Sequence, residues 1–189
     1  MRIAVYSGTF DPLHVGHLAI LRHLQDCGGF DAVYLIVSPQ SPFKGAERAD
    51  NALSRLEAAR NAVARHPELT VKVDDIELKM PLPQYTIRTL DALKAREPEN
   101  EFILVTGADQ LASFEGWRDF RRILSEYGIV VFPREGYDCR ADKDALEKKA
   151  ALEGWPCKIE VVDAPLVNIS STFIRESLLK GEDVSRFLM

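Results

Sequence analysis

The stretch that decides the fold is residues 3–17, IAVYSGTFDPLHVGH. Its first four residues are apolar and predict a short buried strand. Gly8 and Pro12 mark a loop, and leucines at every third position then predict a helix from residue 15 to about residue 27, where two glycines end it. The stretch therefore predicts a strand, a loop at the carboxyl end of that strand, and a helix.

The same alternation continues along the chain. Further short apolar runs, which predict strands, lie at residues 32–37, 71–73, 102–105, 129–132 and 159–162. Helical patterns separate them, one carried by Leu53 and Leu56 and another by Leu90 and Leu93. Continuously apolar strands suit a parallel sheet that is buried on both faces. We therefore predict an α/β fold: a Rossmann-like, doubly wound, mainly parallel sheet flanked by helices, in a single domain over residues 1–189.

Three segments have less regular patterns. Residues 38–50 and 133–142 are predicted to form long irregular loops, which in compact domains often have a function. Residues 143–149 are rich in charge and predict a solvated surface helix.

Composition narrows the class of protein. The formal net charge of −5 argues against a nucleic-acid partner, although a local cationic cluster can still bind phosphate. The three cysteines are far apart, which argues against a disulfide framework or a cysteine-based zinc site and favours a reducing compartment. The first apolar run is too short for a signal peptide, and no run approaches the roughly 20 residues of a membrane span. We expect a cytoplasmic protein without a membrane partner; its oligomeric state stays open.

Two histidines, His14 and His17, lie at the predicted junction between the first strand and the first helix. Ligands of parallel α/β sheets bind beyond the carboxyl ends of the strands. Four interpretations are open: a zinc pair, a general acid–base pair, a phosphate clamp over a helix N-terminus, and two packed structural histidines. No third metal ligand is obvious nearby, so we predict no protein metal site.

A second stretch with anion-binding character lies near the other end of the chain. Residues 168–178 read NISSTFIRESL and follow the last predicted strand. Ser170, Ser171 and Thr172 are residues that cap helices, and Arg175 follows one turn later. Together they would suit a polyphosphate, although an ordinary capped helix has the same signature.

Together these stretches resemble the nucleotidyltransferase superfamily that is marked by an H-x-G-H motif, here residues 14–17. Within it the chain is most similar to bacterial nicotinate-nucleotide adenylyltransferases. The further matching stretches are residues 38–44, 83–86 with 89–90, 107–109 with Trp117, and 132–134. The chain departs from that family at Ser7, Phe43 and Gln84, where many members have Gly, His and Ser.

The resemblance implies the nucleotidyltransferase fold and a reaction in NAD biosynthesis. ATP would transfer its adenylyl group to nicotinate mononucleotide, giving nicotinate adenine dinucleotide and pyrophosphate. The phosphate of the mononucleotide is already an anion, so in-line attack needs no general base and no protein nucleophile. Mg²⁺ would arrive with ATP, bound through phosphate oxygens and water.

The resemblance also implies roles for individual residues. His17 would contact the α-phosphate, Ser171, Thr172 and Arg175 the β- and γ-phosphates, and Lys44 would bridge the reacting phosphates. Trp117 would stack on the pyridine, the Thr86 amide would meet its carboxylate, Asp109 would meet ribose hydroxyls, and Arg134 a phosphate or carboxylate. The implied ATP-binding set is Gly8, Thr9, Phe10, His14, His17, Asp109, Ser170, Ser171, Thr172 and Arg175. The implied set for nicotinate mononucleotide is Lys44, Tyr85, Thr86, Trp117 and Arg134, and the catalytic set is His14, His17, Lys44 and Arg175.

Three other functions stay open from the sequence. A phosphopantetheine adenylyltransferase resembles the chain at both ends, but that family is shorter and typically has Thr in place of His14. An enzyme that uses the amide mononucleotide, alone or as well, and a non-catalytic nucleotide-binding module are the other two. A redox Rossmann enzyme is disfavoured because no G-x-G-x-x-G follows the first strand.

Overall fold

The computed structural model of the chain describes residues 1–39, 51–165 and 169–189. The described residues include six strands: β1 (Arg2–Gly8), β2 (Ala32–Val37), β3 (Val71–Asp74), β4 (Glu101–Gly107), β5 (Ile129–Phe132) and β6 (Ile159–Val161). They form one sheet in the order β3-β2-β1-β4-β5-β6. The pairs β2–β3, β1–β4, β4–β5 and β5–β6 are parallel. This is the order of a doubly wound, Rossmann-like sheet, so the predicted fold class is confirmed.

Helices separate the strands in the predicted alternation. They are α1 (Val15–Asp26), α2 (Ala52–Ala64), α3 (Thr86–Arg96), α4 (Ala108–Leu111), α5 (Phe120–Arg122), α6 (Cys139–Glu153) and α7 (Ser171–Leu179). Short 3₁₀ turns cover Ile76–Lys79, Phe114–Gly116 and Ser185–Phe187, and a π turn covers Ile123–Tyr127. No helix in these described ranges is long and apolar enough to cross a membrane.

The strands supply most of the core. Every residue of β2 and of β5 is buried, as their continuous apolar runs predict. Helix α1 buries Leu18, Leu21 and Leu24 on one face, which is the predicted leucine pattern. It ends at Asp26, and Gly29 just beyond takes a φ of +63°, a conformation that favours glycine.

The chain divides into two compact units. The described part of the first comprises residues 1–6 and 84–165, with β4, β5 and β6 and helices α3 to α6. The described part of the second comprises residues 7–39, 51–83 and 169–189, with β2, β3, α1, α2 and α7. The prediction of a single domain over residues 1–189 stays a prediction.

Three local expectations need correction. Leu53 is 72% exposed, and the buried stripe of α2 consists instead of Ala52, Leu56, Ala59 and Ala62 together with Arg55. The loop that follows β5 ends at Asp138, not at residue 142, because the Asp138 side chain caps α6 by accepting from the Ala141 amide at 3.0 Å. The charged helix at 143–149 lies inside α6 and is largely solvated, but its face with Leu146 is buried. Of the other predicted loop, residues 40–50 lie outside the described residues.

Candidate active site

The two histidines of the H-x-G-H motif cap helix α1 together. His14 is the N-cap residue, and its Nδ1 accepts a hydrogen bond from the Gly16 amide at 3.2 Å. His17 Nδ1 accepts from the His14 amide at 3.1 Å, which completes a reciprocal capping box. Their ring centroids lie 3.7 Å apart, with 32° between the planes. His14 is therefore the cap that precedes the helix, and His17 lies in the first turn.

This capping geometry fixes the tautomers of both rings. A nitrogen that accepts a backbone N–H must present a lone pair, so the proton of each neutral imidazole lies on Nε2. Protonation of Nδ1 would break the cap. Each ring thus carries one N–H donor directed away from the backbone it caps, and His17, which is half-buried, is more accessible than the buried His14.

Gly16 is required by the close approach of the His14 ring. A Cβ at this position would lie 2.8 Å from Ile169 Cγ2 and 3.0 Å from His14 Nδ1. Any larger residue would therefore displace the ring or the segment that precedes α7.

Phe10 supports the His17 ring from the side. It adopts a φ of +45°, in the left-handed region, and its side chain is buried. The ring meets His17 edge-on, with centroids 5.2 Å apart, and it lies where a Cβ on Gly8 would come within 3.0 Å of its Cζ. The left-handed backbone costs about 1–2 kcal/mol, which these contacts offset. Because its side chain is buried, Phe10 offers a ligand chiefly its backbone.

Helix α7 is hydrogen-bonded to the loop that precedes α1. Ser171 Oγ donates to the Pro12 carbonyl at 3.0 Å, and Arg175 Nη1 donates to the Asp11 carbonyl. Arg175 Nη2 also donates to Thr172 Oγ1 at 3.1 Å, while Ser170 Oγ caps the helix by accepting from the Phe173 amide. The N-termini of α1 and α7, both of which favour anions, are thus held together within the second unit.

A buried arginine, absent from the sequence predictions, lies beside the same loop. Arg55 on α2 is 6% exposed and donates to the backbone carbonyls of Thr9, Ser38 and Pro39. The available signal was an arginine between apolar positions of a helix. Such a residue more often extends along the surface with its charge in water.

The first unit contains a second group of candidate residues. Asp109 lies at the start of α4, directly after β4, and its Oδ1 is 3.7 Å from Arg134 Nε. This Oδ1 is buried and accepts no hydrogen bond from the described residues, although Gln110 binds the other oxygen at 3.0 Å. Burial raises the pKa of the nearby Tyr6, while Arg134 acts in the opposite direction. A buried carboxylate oxygen without a hydrogen bond is costly unless a ligand donor satisfies it.

The aromatic candidates lie in the same unit. Trp117 stacks on Phe114 with centroids 4.8 Å apart, and its Nε1 is buried without an acceptor among the described residues. Tyr85 is the N-cap residue of α3 and has Arg118 over its ring at 5.8 Å, and Thr86 is the first residue of the helix. The first amides of a helix lack intrahelical acceptors, so this end suits an anion.

Two further predictions concern Lys44 and a protein metal site. Lys44, with its neighbour Phe43, lies outside the described residues. Among the described residues, no group of three or more His, Cys, Asp or Glu side chains is arranged to hold a metal ion.

Comparison with known proteins gives full-length similarities. The model of the cytidylyltransferase-like family matches residues 5–177. A protein of Bacteroides fragilis described as a probable nicotinate-nucleotide adenylyltransferase is 38% identical over 187 residues, which cover 99% of this chain and 87% of that protein. A Flavobacterium johnsoniae protein with the same description is 36% identical over 188 residues, which cover 100% of this chain and 92% of that protein.

The fold also has a counterpart among solved structures. Plasmodium falciparum nicotinic acid mononucleotide adenylyltransferase, solved in complex with NaAD, superposes with a TM-score of 0.74 at 16% identity. The match covers 99% of this chain and 90% of that one. The chain belongs to the cytidylyltransferase-like family of nucleotidyltransferases and, within it, to the nicotinate-nucleotide adenylyltransferases.

Proposed function

We propose that the protein transfers the adenylyl group of ATP to nicotinate mononucleotide, with release of pyrophosphate, as a step of NAD biosynthesis. The observation that carries the proposal is the attachment of α7 to the loop before α1 through Ser171 and Arg175. It gathers two helix N-termini, two imidazole N–H donors and a guanidinium in one unit of the chain. The full-length similarity to proteins described as nicotinate-nucleotide adenylyltransferases supports the choice of substrate.

The proposed reaction is a direct displacement at the α-phosphorus of ATP. An oxygen of the mononucleotide phosphate forms the new P–O bond, and the bond to the β-phosphate oxygen breaks. The electron pair of that bond leaves with pyrophosphate. Because the nucleophile is already ionised, the protein positions the two polyanions and stabilises the charge that develops on them.

The residues of the second unit divide this work. The Nε2–H of His17 donates to the α-phosphate, and His14 holds the first turn of α1 in place while offering its own Nε2–H. Ser170, Ser171, Thr172 and Arg175 bind the β- and γ-phosphates at the N-terminus of α7, and Gly8, Thr9 and Phe10 line the loop. The α-phosphate contact is assigned to His17 because its ring is the more accessible of the two.

The residues of the first unit are proposed to bind the ribose and pyridine parts of the substrates. Asp109 would accept from ribose hydroxyls, which would supply the hydrogen bond that its buried Oδ1 lacks among the described residues. The ring of Trp117 would stack on the pyridine, and the helix start at Tyr85 and Thr86 would meet the pyridine carboxylate. Arg134 is assigned to an anionic group of the mononucleotide, and Lys44 is proposed to bridge the reacting phosphates.

Mg²⁺ is proposed to enter as the ATP complex. A hard cation of this kind is typically held by phosphate oxygens, water and one or two carboxylates rather than by an all-protein cage. The cytoplasm is the proposed compartment, because Cys27, Cys139 and Cys157 form no disulfide among the described residues.

The test compares acceptors directly. Pyrophosphate release is measured with ATP and Mg²⁺ and either nicotinate mononucleotide, nicotinamide mononucleotide or phosphopantetheine. Fast release with the nicotinate substrate alone supports the proposal and its carboxylate-binding pocket. Equal rates for acid and amide keep the chemistry but remove the proposed discrimination. Release with phosphopantetheine alone, or with none of the three, contradicts the proposal.

A further inference from the structure

A positively charged side chain is buried beside the phosphate loop. Arg55 Nη1 donates to the Thr9 carbonyl at 2.6 Å and to the Ser38 carbonyl at 2.8 Å, and Nη2 donates to the Pro39 carbonyl at 2.8 Å. A buried charge destabilises the fold unless hydrogen bonds replace its hydration. If the side chain at position 55 served only to fill space beside α2, a leucine would do so without the cost of burying a charge.

The three carbonyls belong to two different segments of the second unit. Thr9 lies in the loop between β1 and α1, whereas Ser38 and Pro39 follow β2. Other bonds join the same segments: the Ser38 amide donates to the Gly8 carbonyl at 2.9 Å, and the hydroxyls of Ser7 and Ser38 lie 3.0 Å apart. Arg55 therefore lies where the carboxyl ends of β1 and β2 are fastened together.

Thr9 directly precedes the residue that supports His17. Phe10 holds a left-handed backbone with its ring against the edge of the His17 ring. That conformation is unfavourable for a phenylalanine, so its neighbours must impose it. The bond from Arg55 to the Thr9 carbonyl fixes the peptide that joins Thr9 to Phe10 and thereby limits its rotation.

We propose that Arg55 is a positioning residue for adenylyl transfer, acting on the His17 ring through Thr9 and Phe10. Its forked guanidinium serves carbonyls of both segments at once, which a single lysine ammonium cannot do with the same geometry. The inference rests on the proposed function for its kinetic consequence, but its structural consequence for His17 is independent of any substrate.

The experiment compares Arg55→Met and Arg55→Lys with Arg60→Met. Arg60 is a matched control, because it lies on the same helix with a side chain that is 52% exposed and paired only loosely with Asp75 at 3.8 Å. The first readout is the ¹⁵N spectrum of the histidine rings without nucleotide. In the wild type and in Arg60→Met, we expect the His17 signals of the Nε2–H tautomer. In Arg55→Met, the His17 signals should move towards a mixture of tautomers.

The second readout is steady-state kinetics. We expect kcat of Arg55→Met to fall about 100-fold, the scale for misplacing a reacting group by about 1 Å. The kcat of Arg55→Lys should fall less, and the kcat of Arg60→Met should stay within about twofold of the wild-type value. KM for nicotinate mononucleotide should stay within about twofold in all three variants, because its proposed contacts among the described residues lie in the other unit. If Arg55 had a purely structural role, the variants would have a lower unfolding temperature, but kcat would not fall selectively while KM for nicotinate mononucleotide stayed the same.

Guanidinium rescue keeps the test valid if Arg55→Met does not fold. Arg55→Ala leaves space for the ion against the same carbonyls, so millimolar guanidinium should restore part of kcat at a temperature where the variant is folded. Unchanged His17 signals together with wild-type kcat in Arg55→Lys and Arg55→Ala would overturn the inference. A wild-type protein that transfers no adenylyl group, but whose His17 signals change in the variants, would overturn the proposed function and leave only the effect of Arg55 on the His17 ring.

Discussion

Ser171 donates a hydrogen bond to the backbone carbonyl of Pro12 over 3.0 Å, although 159 positions separate the two residues in the sequence. The bond joins the first turn of the last helix to the loop that leads into the first. Arg175 strengthens the junction by donating to the Asp11 carbonyl one residue earlier. These hydrogen bonds therefore join the N-terminal end of α7 to the loop that precedes the N-terminal end of α1.

Removal of this bond tests whether the junction matters for ATP. Ser171→Ala should raise KM for ATP about fivefold and lower the free energy of unfolding by about 1 kcal/mol, the typical net value of one hydrogen bond. Ser54→Ala, an exposed serine on α2, is the matched control. Titration with ATP and chemical unfolding measure both effects, and a Ser171→Ala variant that matches Ser54→Ala would argue against the junction.

His17 has two separable roles, as a cap and as a phosphate donor. His17→Ala should lower kcat by about 10²–10³, the scale for losing one transition-state donor. It should also lower the unfolding free energy by about 1 kcal/mol, because the hydrogen bond from the His14 amide is lost. His17→Glu should recover most of that stability, since Glu at this position accepts from the N-cap amide.

The same His17→Glu variant should remain inactive, because a carboxylate donates nothing to phosphate and repels it. Kinetics and thermal unfolding on both variants separate the two roles. Activity near the wild-type level in either variant would contradict the assignment of His17.

Trp117 tests the proposed pyridine contact. Trp117→Ala should raise KM for nicotinate mononucleotide about fivefold or more, since base–aromatic stacking contributes about 1–3 kcal/mol. KM for ATP should change little. Trp155→Phe, which alters the other tryptophan, controls for general effects on packing. If both KM values rise equally in Trp117→Ala, the stacking role is wrong.

Asp91 makes a pH-dependent contribution to stability away from the site. Burial raises the pKa of Asp91, but hydrogen bonds from Arg122 and Tyr127 outweigh that effect and hold the pKa below its ordinary value. The Tyr127 hydroxyl donates to Asp91 at 2.6 Å, and Arg122 binds both carboxylate oxygens. A depressed folded-state pKa means that the stabilisation is complete above the unfolded pKa of about 3.9 and is lost as pH falls through the folded value.

Asp91→Asn should therefore be less stable than the wild type at pH 7, by less than about 1 kcal/mol because solvent screens a side chain that is 42% exposed. The difference should shrink as pH falls from 5 to 2. Urea unfolding across that range measures it. A difference that stays constant with pH would show that the charge of Asp91 contributes nothing.

The strands could be predicted from the sequence because most of them are short, continuously apolar runs, although Lys72 and Glu160 interrupt two of them. All six lie where residues 3–6, 32–37, 71–73, 102–105, 129–132 and 159–162 predict them. The start of α1 at Val15 follows from the same pattern, whereas the identity of its cap does not. Asp is a preferred N-cap residue and His is not, so local preference alone favours Asp11 over His14. In the structure Asp11 instead faces Arg175, 3.8 Å from its carboxylate, a partner far along the chain.

Other features depend on tertiary contacts that local patterns do not encode. Leu53 fits a helical stripe by spacing, but it is exposed. Arg55 lies on the buried side instead, because its guanidinium donates hydrogen bonds to three backbone carbonyls there. The tautomers of His14 and His17 depend on which backbone amide reaches each ring. No repeating pattern in the sequence marks a buried cation or a ring nitrogen that accepts a hydrogen bond.

The central claim is that the mononucleotide phosphate attacks the α-phosphorus of ATP, and isotope labelling tests it most directly. The wild-type protein is given ATP, Mg²⁺ and nicotinate mononucleotide with ¹⁸O in its phosphate, and the products are weighed by mass spectrometry. The account predicts nicotinate adenine dinucleotide that retains all of the mononucleotide label, with unlabelled pyrophosphate in equal amount. Label in the pyrophosphate, or the absence of the dinucleotide, would contradict it.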